Sequence, residues 1–255
     1  MATTLENFRL NGQVAVVTGA SRGIGEAMAV ALAEAGADVA LVARGDLSTV
    51  TKSITALGRK AIAVSADIGA PDAAERILAA VNAQLGAPTI LVNNAGIIRR
   101  GTFLEFTDAD WDDVLNVNLR SIFKLSQRFA ADLVKRRAPG KIINTSSLLS
   151  FQGGIRVVSY AAAKSALGGL TRAMANELAP LGINVNAIAP GYIETDNTAP
   201  LRADPVRHRA ILERIPAGRW GGPDDLKGAV VFLASSASNY VHGITLPVDG
   251  GWLSR

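Results

Sequence analysis

Tyr160 and Lys164 stand four residues apart in "YAAAK", with only alanines between them. Residues at i and i+4 share one face of a helix, so a phenol and an ammonium become neighbours. A free phenol, with a pKa near ~10, is a poor base at neutral pH. An adjacent ammonium favours the phenolate and is expected to bring that pKa toward the working range, as a proton-passing group requires. Ser147 comes a short loop earlier, at the end of a predicted strand. The intervening "LLSFQGGIRVVS" can loop back so that both hydroxyls address one oxygen. Tyr-x-x-x-Lys is common by chance, so the reading depends on what the rest of the chain supplies.

A second chemical signal is "TGASRGIG", Thr18 to Gly25, directly after the first apolar strand. Gly19, Gly23 and Gly25 give the spacing G-x-x-x-G-x-G, with Ser21, Arg22 and Ile24 between them. Glycines there allow a tight turn and close backbone approach to a pyrophosphate, whose charge would meet the amides of a helix N-terminus. That points to a dinucleotide. An acidic side chain at the end of the second strand usually marks NAD, bonded to the ribose hydroxyls. Here the stretch is "LVARGD", where Arg44 comes first and Asp46 is late. Arg22 and Arg44 together could clamp a ribose phosphate, which favours NADP and leaves NAD possible. Both arginines could equally be solvated surface groups.

These residues need a frame, and the apolar pattern supplies one. "QVAVVT", "DVALVA", "KAIAVSA", "PTILVNN", "GKIINTS", "GINVNAIAP" and "GITLPVDG" read as strands rich in Val, Ile and Ala. Helical stretches alternate with them: one after Gly23, a polar one from near Asp46, and others over 71–85, 108–137, 158–181 and 223–234. The alternation predicts an α/β fold, a doubly wound Rossmann-type parallel sheet of about seven strands with helices on both faces. Ligands of such sheets bind beyond the carboxyl ends of the strands. The longest stretch without a strand, about 191–225, is a candidate lid.

The chain has 255 residues, 49% hydrophobic and 19% charged, with no linker-like segment, so a single domain over 1–255 is expected. A net charge of +4 with scattered basic residues suits a small anionic ligand and argues against nucleic acid. There is no cysteine, and His208 and His242 are the only histidines, which leaves little material for a metal site. No apolar run of about 18 residues suggests a membrane span, and the start lacks the apolar core of a signal peptide, so a cytoplasmic protein is expected.

"TGASRGIG", "NNAG" (Asn93–Gly96), "NVN" (Asn116–Asn118), "TSS" (Thr145–Ser147), "YAAAK" and "PGYIET" (Pro190–Thr195) occur in the order and spacing of the short-chain dehydrogenase/reductase family. The resemblance spans essentially the whole chain. It implies hydride transfer between a nicotinamide and a hydroxyl or carbonyl carbon. Tyr160 would pass the proton, Ser147 would position the substrate oxygen, and Lys164 would also grip the nicotinamide ribose. Asn118 would help hold a relay water. Asp67 and Ile68 would lie beside the adenine, Asn94, Ala95 and Gly96 along the adenine ribose, and Pro190, Gly191, Ile193 and Thr195 at the nicotinamide end. Asp67 is equally a routine turn former, and Thr195 a routine helix cap. Family members commonly assemble as tetramers through the helices matching 108–137 and 158–181, which implies a homotetramer.

Substrate choice must come from outside these motifs. Arg99, Arg100, Arg156, Arg202, Arg214 and Arg219 gather around the catalytic segments and the lid, and guanidinium forks suit a carboxylate. Arg99, Arg156 and Arg202 are the candidate substrate contacts, beside Ser147 and Tyr160. "GIIRR", "LSFQGGIRV", "LRAD", "ERIPAGRWG" and "VDGGWLSR" resemble the sugar-acid branch of the family, that of 2-deoxy-D-gluconate 3-dehydrogenase, also described as 2-dehydro-3-deoxy-D-gluconate 5-dehydrogenase. The implied substrate is a small sugar acid. A 3-oxoacyl-carrier-protein reductase shares the same catalytic set, and a non-catalytic dinucleotide sensor shares the fold.

Overall fold

The computed structural model describes residues 3–255, so the first two residues of the expected domain lie outside it. Seven strands form one sheet: β1 (Val14–Thr18), β2 (Asp38–Ala43), β3 (Ala61–Ser65), β4 (Ile90–Asn93), β5 (Gly140–Thr145), β6 (Ile183–Pro190) and β7 (Thr245–Val248). Their order is β3-β2-β1-β4-β5-β6-β7, and every pairing is parallel. The chain reverses direction of travel between β1 and β4, the switch point where a crevice opens beyond the strand ends. β1, β4, β5 and β6 are buried along their whole length, whereas the edge strands β3 and β7 are only half-buried. This explains the unbroken Val/Ile/Ala runs in the middle of the sheet.

Helices cover both faces. On one lie α1 (Gly23–Glu34), α2 (Ser48–Ala56) and α9 (Lys227–Ala234), packed through Met28, Leu32, Val50, Ile54, Val230 and Leu233. On the other lie α3 (Ala73–Gln84), α5 (Ser121–Arg136) and α6 (Val158–Leu178), packed in part through Ile77, Val81, Phe129 and Leu133. The polar helix expected from Asp46 starts at Ser48 instead, because Asp46 serves as the turn former and accepts from the Ser48 amide at 2.9 Å. No helix among the described residues is long and apolar enough to cross a membrane.

The single helix expected over 108–137 is broken. α4 (Asp108–Leu115) and α5 are joined by a π-helical turn, Asn116–Arg120, in which the Ser121 amide donates back to the Asn116 carbonyl. The extra residue points the Asn118 side chain at the backbone of Ile97, on the segment that follows β4. The strand-free stretch after β6 also carries structure of its own. α7 (Ala199–Ala203) and α8 (Pro205–Leu212) lie in it, the latter started by Asp204, whose carboxylate accepts from the amides of Val206 (2.9 Å) and Arg207 (3.1 Å). Ile211, Ile215 and Trp220 there pack with Leu148 and Trp252 into a small core away from the sheet.

Polar side chains tie the centre of the sheet to its cover. Asn93 on β4 donates to Asn144 on β5 (2.9 Å) and to Ser126 on α5 (3.0 Å), and Asn144 donates to Thr171 on α6 (3.0 Å). All four residues are buried, so each bond replaces water that cannot reach it. Asn144→Leu should therefore lower stability by about 1–3 kcal/mol. A urea melt should show a lower midpoint at unchanged slope; an unmoved midpoint would mean that the network adds no stability.

Candidate active site

The turn after β5 is strapped onto the start of α6. Ser150 donates to the Lys164 carbonyl (2.6 Å) and pairs with Ser146 (2.5 Å), while Ser165 donates to the Leu149 carbonyl (3.0 Å). Ser147 lies on this strap, accepting from the Leu149 amide at 3.2 Å with its hydroxyl in reach of the Tyr160 phenol. One helical turn beyond Tyr160, Lys164 is 3% exposed and its ammonium donates to the Thr145 carbonyl at 2.6 Å. The ammonium sits over the phenol ring, 5.5 Å from its centroid. Ser147, Tyr160 and Lys164 are thus brought together at the carboxyl end of β5.

The electrostatics differ from the sequence expectation. Burial pushes the Tyr160 phenol above its ordinary pKa, against smaller downward pulls from the Ser147 hydroxyl and the Arg100 charge. Burial also lowers the Lys164 ammonium to about 8. Spacing alone could not reveal that the ammonium would be dry and committed to a backbone carbonyl. Desolvation therefore outweighs the attraction between the pair. Asn118 is fully buried, and its side-chain amide exchanges two 2.8 Å bonds with the Ile97 backbone, donating to the carbonyl and accepting from the amide. It stands behind the Gly96–Ile97 segment and not in the cleft wall.

A cleft of about 990 Å³ runs from the glycine turn to Tyr160 across the β1/β4 switch point. Every residue expected to hold a dinucleotide lines it, from Gly19 and Ser21 through Asp67, Ile68 and Asn94 to Ile193 and Thr195. Two glycines show why the turn has its composition. Gly19 has φ +67°, and a Cβ there would stand 2.8 Å from the Ala95 Cα; a Cβ on Gly25 would collide with the Gly19 carbonyl oxygen. The Thr18 hydroxyl fixes the opposite wall, accepting from the amides of Asn94 (3.0 Å) and Ala95 (3.1 Å), and Asn94 donates back to the carbonyls of Thr18 (3.1 Å) and Gly19 (3.2 Å). A tight backbone floor at the start of α1, with no side chain in the way, fits a pyrophosphate.

The arginines divide by partner. Arg22 lies 3.1 Å from Asp196 and Arg44 3.7 Å from Asp67, both pairs exposed at the cleft. Asp67 also accepts from the Gly69 amide (2.9 Å), so it forms its turn and lines the cleft at once. Thr195 likewise does both, opening the short turn 196–198, where the Thr198 hydroxyl accepts from its amide at 3.1 Å. Arg99 lines the cleft but is held by Asp110 (3.4 Å) and Asp113 (2.7 Å). Arg156 is exposed with φ +63°, and Arg202 donates to the Thr195 carbonyl at 3.3 Å; neither lines the cleft. Arg219 is locked to Asp225 at 2.7 and 2.8 Å. Arg100 does not line the cleft either, but its charge reaches the phenol, and it bridges to the Asn197 carbonyl at 2.9 Å.

Sequence reasoning also passed over Gln152, which accepts from the Trp252 indole (3.2 Å) and from Arg214 (3.3 Å), with the Arg214 guanidinium stacked 4.0 Å above the Trp252 ring. Tyr192 packs against both Trp252 (4.6 Å between centroids) and Trp220 (5.5 Å). The only available signal was the polar glutamine within the otherwise apolar and glycine-rich "SFQGG". No cluster of His, Asp and Glu suited to a metal ion occurs among the described residues.

A family model described as "Enoyl-(Acyl carrier protein) reductase" matches residues 19–253. A 2-dehydro-3-deoxy-D-gluconate 5-dehydrogenase from Dickeya dadantii (strain 3937) is 53% identical over 251 residues, 98% of this chain and 99% of that protein. A 3-oxoacyl-[acyl-carrier-protein] reductase from Vibrio cholerae is 41% identical over 244 residues, 96% of this chain and 98% of that protein. The crystal structure of a gluconate 5-dehydrogenase from Burkholderia cenocepacia J2315 in complex with NADP and tartrate is 39% identical, covers 99% of this chain and 100% of its own, and superposes with a TM-score of 0.94. With its parallel seven-stranded sheet, glycine turn and Ser147–Tyr160–Lys164 set, the chain belongs to the short-chain dehydrogenase/reductase family of nicotinamide-dependent oxidoreductases.

Proposed function

We propose that this protein reversibly interconverts a secondary alcohol and a ketone on a small sugar acid, with NADP(H) as the favoured hydride partner. The observation that carries this reading is the placement of Ser147 and Tyr160 at one end of a glycine-floored cleft, within the field of Arg100. The bound nicotinamide supplies or accepts the hydride. Ser147 and Tyr160 hold the reacting oxygen, and Tyr160 gives or takes its proton. Lys164, anchored on Thr145, holds positive charge over the phenol ring and would bind the nicotinamide ribose of the cofactor. Asn118 acts as a positioning residue, fixing the Ile97 segment through its paired bonds. Arg100, tied only to a backbone carbonyl, is the guanidinium best placed to receive the substrate carboxylate, and Arg99 stiffens the same segment. The 191–225 segment serves as lid over the reacting end.

The 53% identity to a sugar-acid dehydrogenase, against 41% to the carrier-protein reductase, supports the sugar-acid reading, and NADP in the Burkholderia structure supports the cofactor. Which hydroxyl reacts, at carbon 3 or carbon 5, is read from product analysis. Assembly as a homotetramer is part of the same reading: Trp111 and Phe123 stay 36% and 44% exposed on α4 and α5, where a partner chain would cover them.

Initial rates with hexonates, ketohexonates and an acetoacetyl thioester, each with NADP(H) and NAD(H), test the assignment. Turnover confined to sugar acids is expected, and turnover only with the thioester would overturn it. Tyr160→Phe should lower kcat by about 10²–10⁴ while leaving the dinucleotide Kd within about twofold, an outcome that also separates an enzyme from a sensor. Arg100→Met should raise KM for the acid by at least about tenfold, the loss of a charge-assisted pair. Ketone reduction uses the protonated phenol and the charged ammonium. Since burial keeps the phenol protonated and brings Lys164 to about 8, kcat/KM for reduction should stay level through neutral pH and fall above about pH 8. A profile level to pH 10 would show that the ammonium keeps its proton.

A further inference from the structure

The turn at 195–198 is held by Arg202 from within its own segment, at the Thr195 carbonyl, and is gripped from two outer directions as well. Arg100 reaches it from the segment after β4, on the Asn197 carbonyl at 2.9 Å. Arg22 reaches it from the glycine turn, with its Nε 3.1 Å from the Asp196 carboxylate. The two backbones approach closely there as well, since a Cβ on Gly23 would lie 3.4 Å from the Thr195 methyl. Arg22 is thus not idle at the cleft: its guanidinium is turned to a carboxylate on the far side of the glycine turn.

We infer that Asp196 is a positioning residue that tempers cofactor preference, by competing with the ribose 2′-phosphate of NADP for Arg22. This rests on the reading that Arg22 is a ligand of that phosphate. A carboxylate at Nε occupies one edge of the guanidinium and fixes its direction, so a second anion that needs the fork in another orientation competes with it. A dinucleotide carrying the 2′-phosphate competes with Asp196 for Arg22 and thereby loosens one of those two outer grips on the 195–198 turn. A dinucleotide without that phosphate leaves both grips in place. Asp196 therefore weakens NADP binding selectively and narrows the gap between the two cofactors. Arg22 and Asp196 are 77% and 73% exposed, so the competition is modest and salt-sensitive.

The test is calorimetric titration of the full chain with NADPH and NADH at fixed ionic strength, for the parent protein, Asp196→Asn, Arg22→Ala and the double variant. Both side chains are exposed, so the variants should fold; thermal melts check this. Asp196→Asn should raise the NADPH-over-NADH preference by about two- to fivefold, as expected for an exposed pair. In the Arg22→Ala background the same change should have no effect on that preference, because Asp196 acts through Arg22. An equal gain for both cofactors, no gain, or a gain that persists without Arg22 would each overturn the inference. If Arg22→Ala alone leaves NADPH affinity unchanged, the assignment of Arg22 to the phosphate fails with it. If Arg22→Ala weakens NADPH but Asp196→Asn does nothing, only the competition fails.

Discussion

The contact on which the site depends is the 2.6 Å bond from the Lys164 ammonium to the Thr145 carbonyl. A charge at 3% exposure must be satisfied by the protein, and no carboxylate bonds this one. A backbone carbonyl at the end of the central strand β5 takes that place, so the lysine nails the second turn of α6 to the sheet. Tyr160, one turn earlier on the same face, is aimed by that nail, and the serines from Ser146 to Ser165 keep the strap between them short. The cost appears in the lysine's pKa, pulled to about 8 by burial alone. With its pKa so near neutrality, the charge of this ammonium responds to modest changes in its surroundings.

The same logic of dry, backbone-directed contacts governs the cofactor end. Thr18 closes β1 with a hydroxyl that serves two amides of the segment after β4, and Asn94 returns two bonds to the glycine turn. The walls of the cleft are thus main chain held by the side chains of Thr18 and Asn94. Ser147, Tyr160 and Lys164 line one end of the cleft, and the exposed Arg22 and Arg44 line the glycine-turn end.

Much of this was legible in the residues. The strands match their apolar runs to within a residue or two, because strands buried on both faces leave an unbroken signature of Val, Ile and Ala. The glycine turn and the Tyr160–Lys164 face were legible because local spacing determines them. What was not legible came from partners distant in the chain. Arg22, Arg44 and Arg99 look alike as sequence, yet they meet Asp196, Asp67 and the Asp110/Asp113 pair across the cleft. Arg156, four residues before Tyr160, is turned to solvent, whereas the charge of the distant Arg100 reaches the phenol: nearness along the chain is not nearness in space. The upward shift of the Tyr160 phenol escaped notice because spacing records neighbours and not the exclusion of water.

The π-turn at 116–120 carries a consequence for how the chain can change. It is a single surplus residue absorbed between two ordinary helices, and everything downstream keeps step with it. Excising one residue there would restore an unbroken helix but rotate α5 by about 100° relative to α4. The stripe of Leu125, Phe129 and Leu133 would then swing off the sheet, while Asn118 lost its hold on Ile97. Exposed positions around this turn can be substituted, but the buried Asn118 cannot be exchanged freely, and neither insertion nor deletion preserves the register. The turn acts as a frame lock, binding the length of the segment to the catalytic geometry more tightly than to any one side chain.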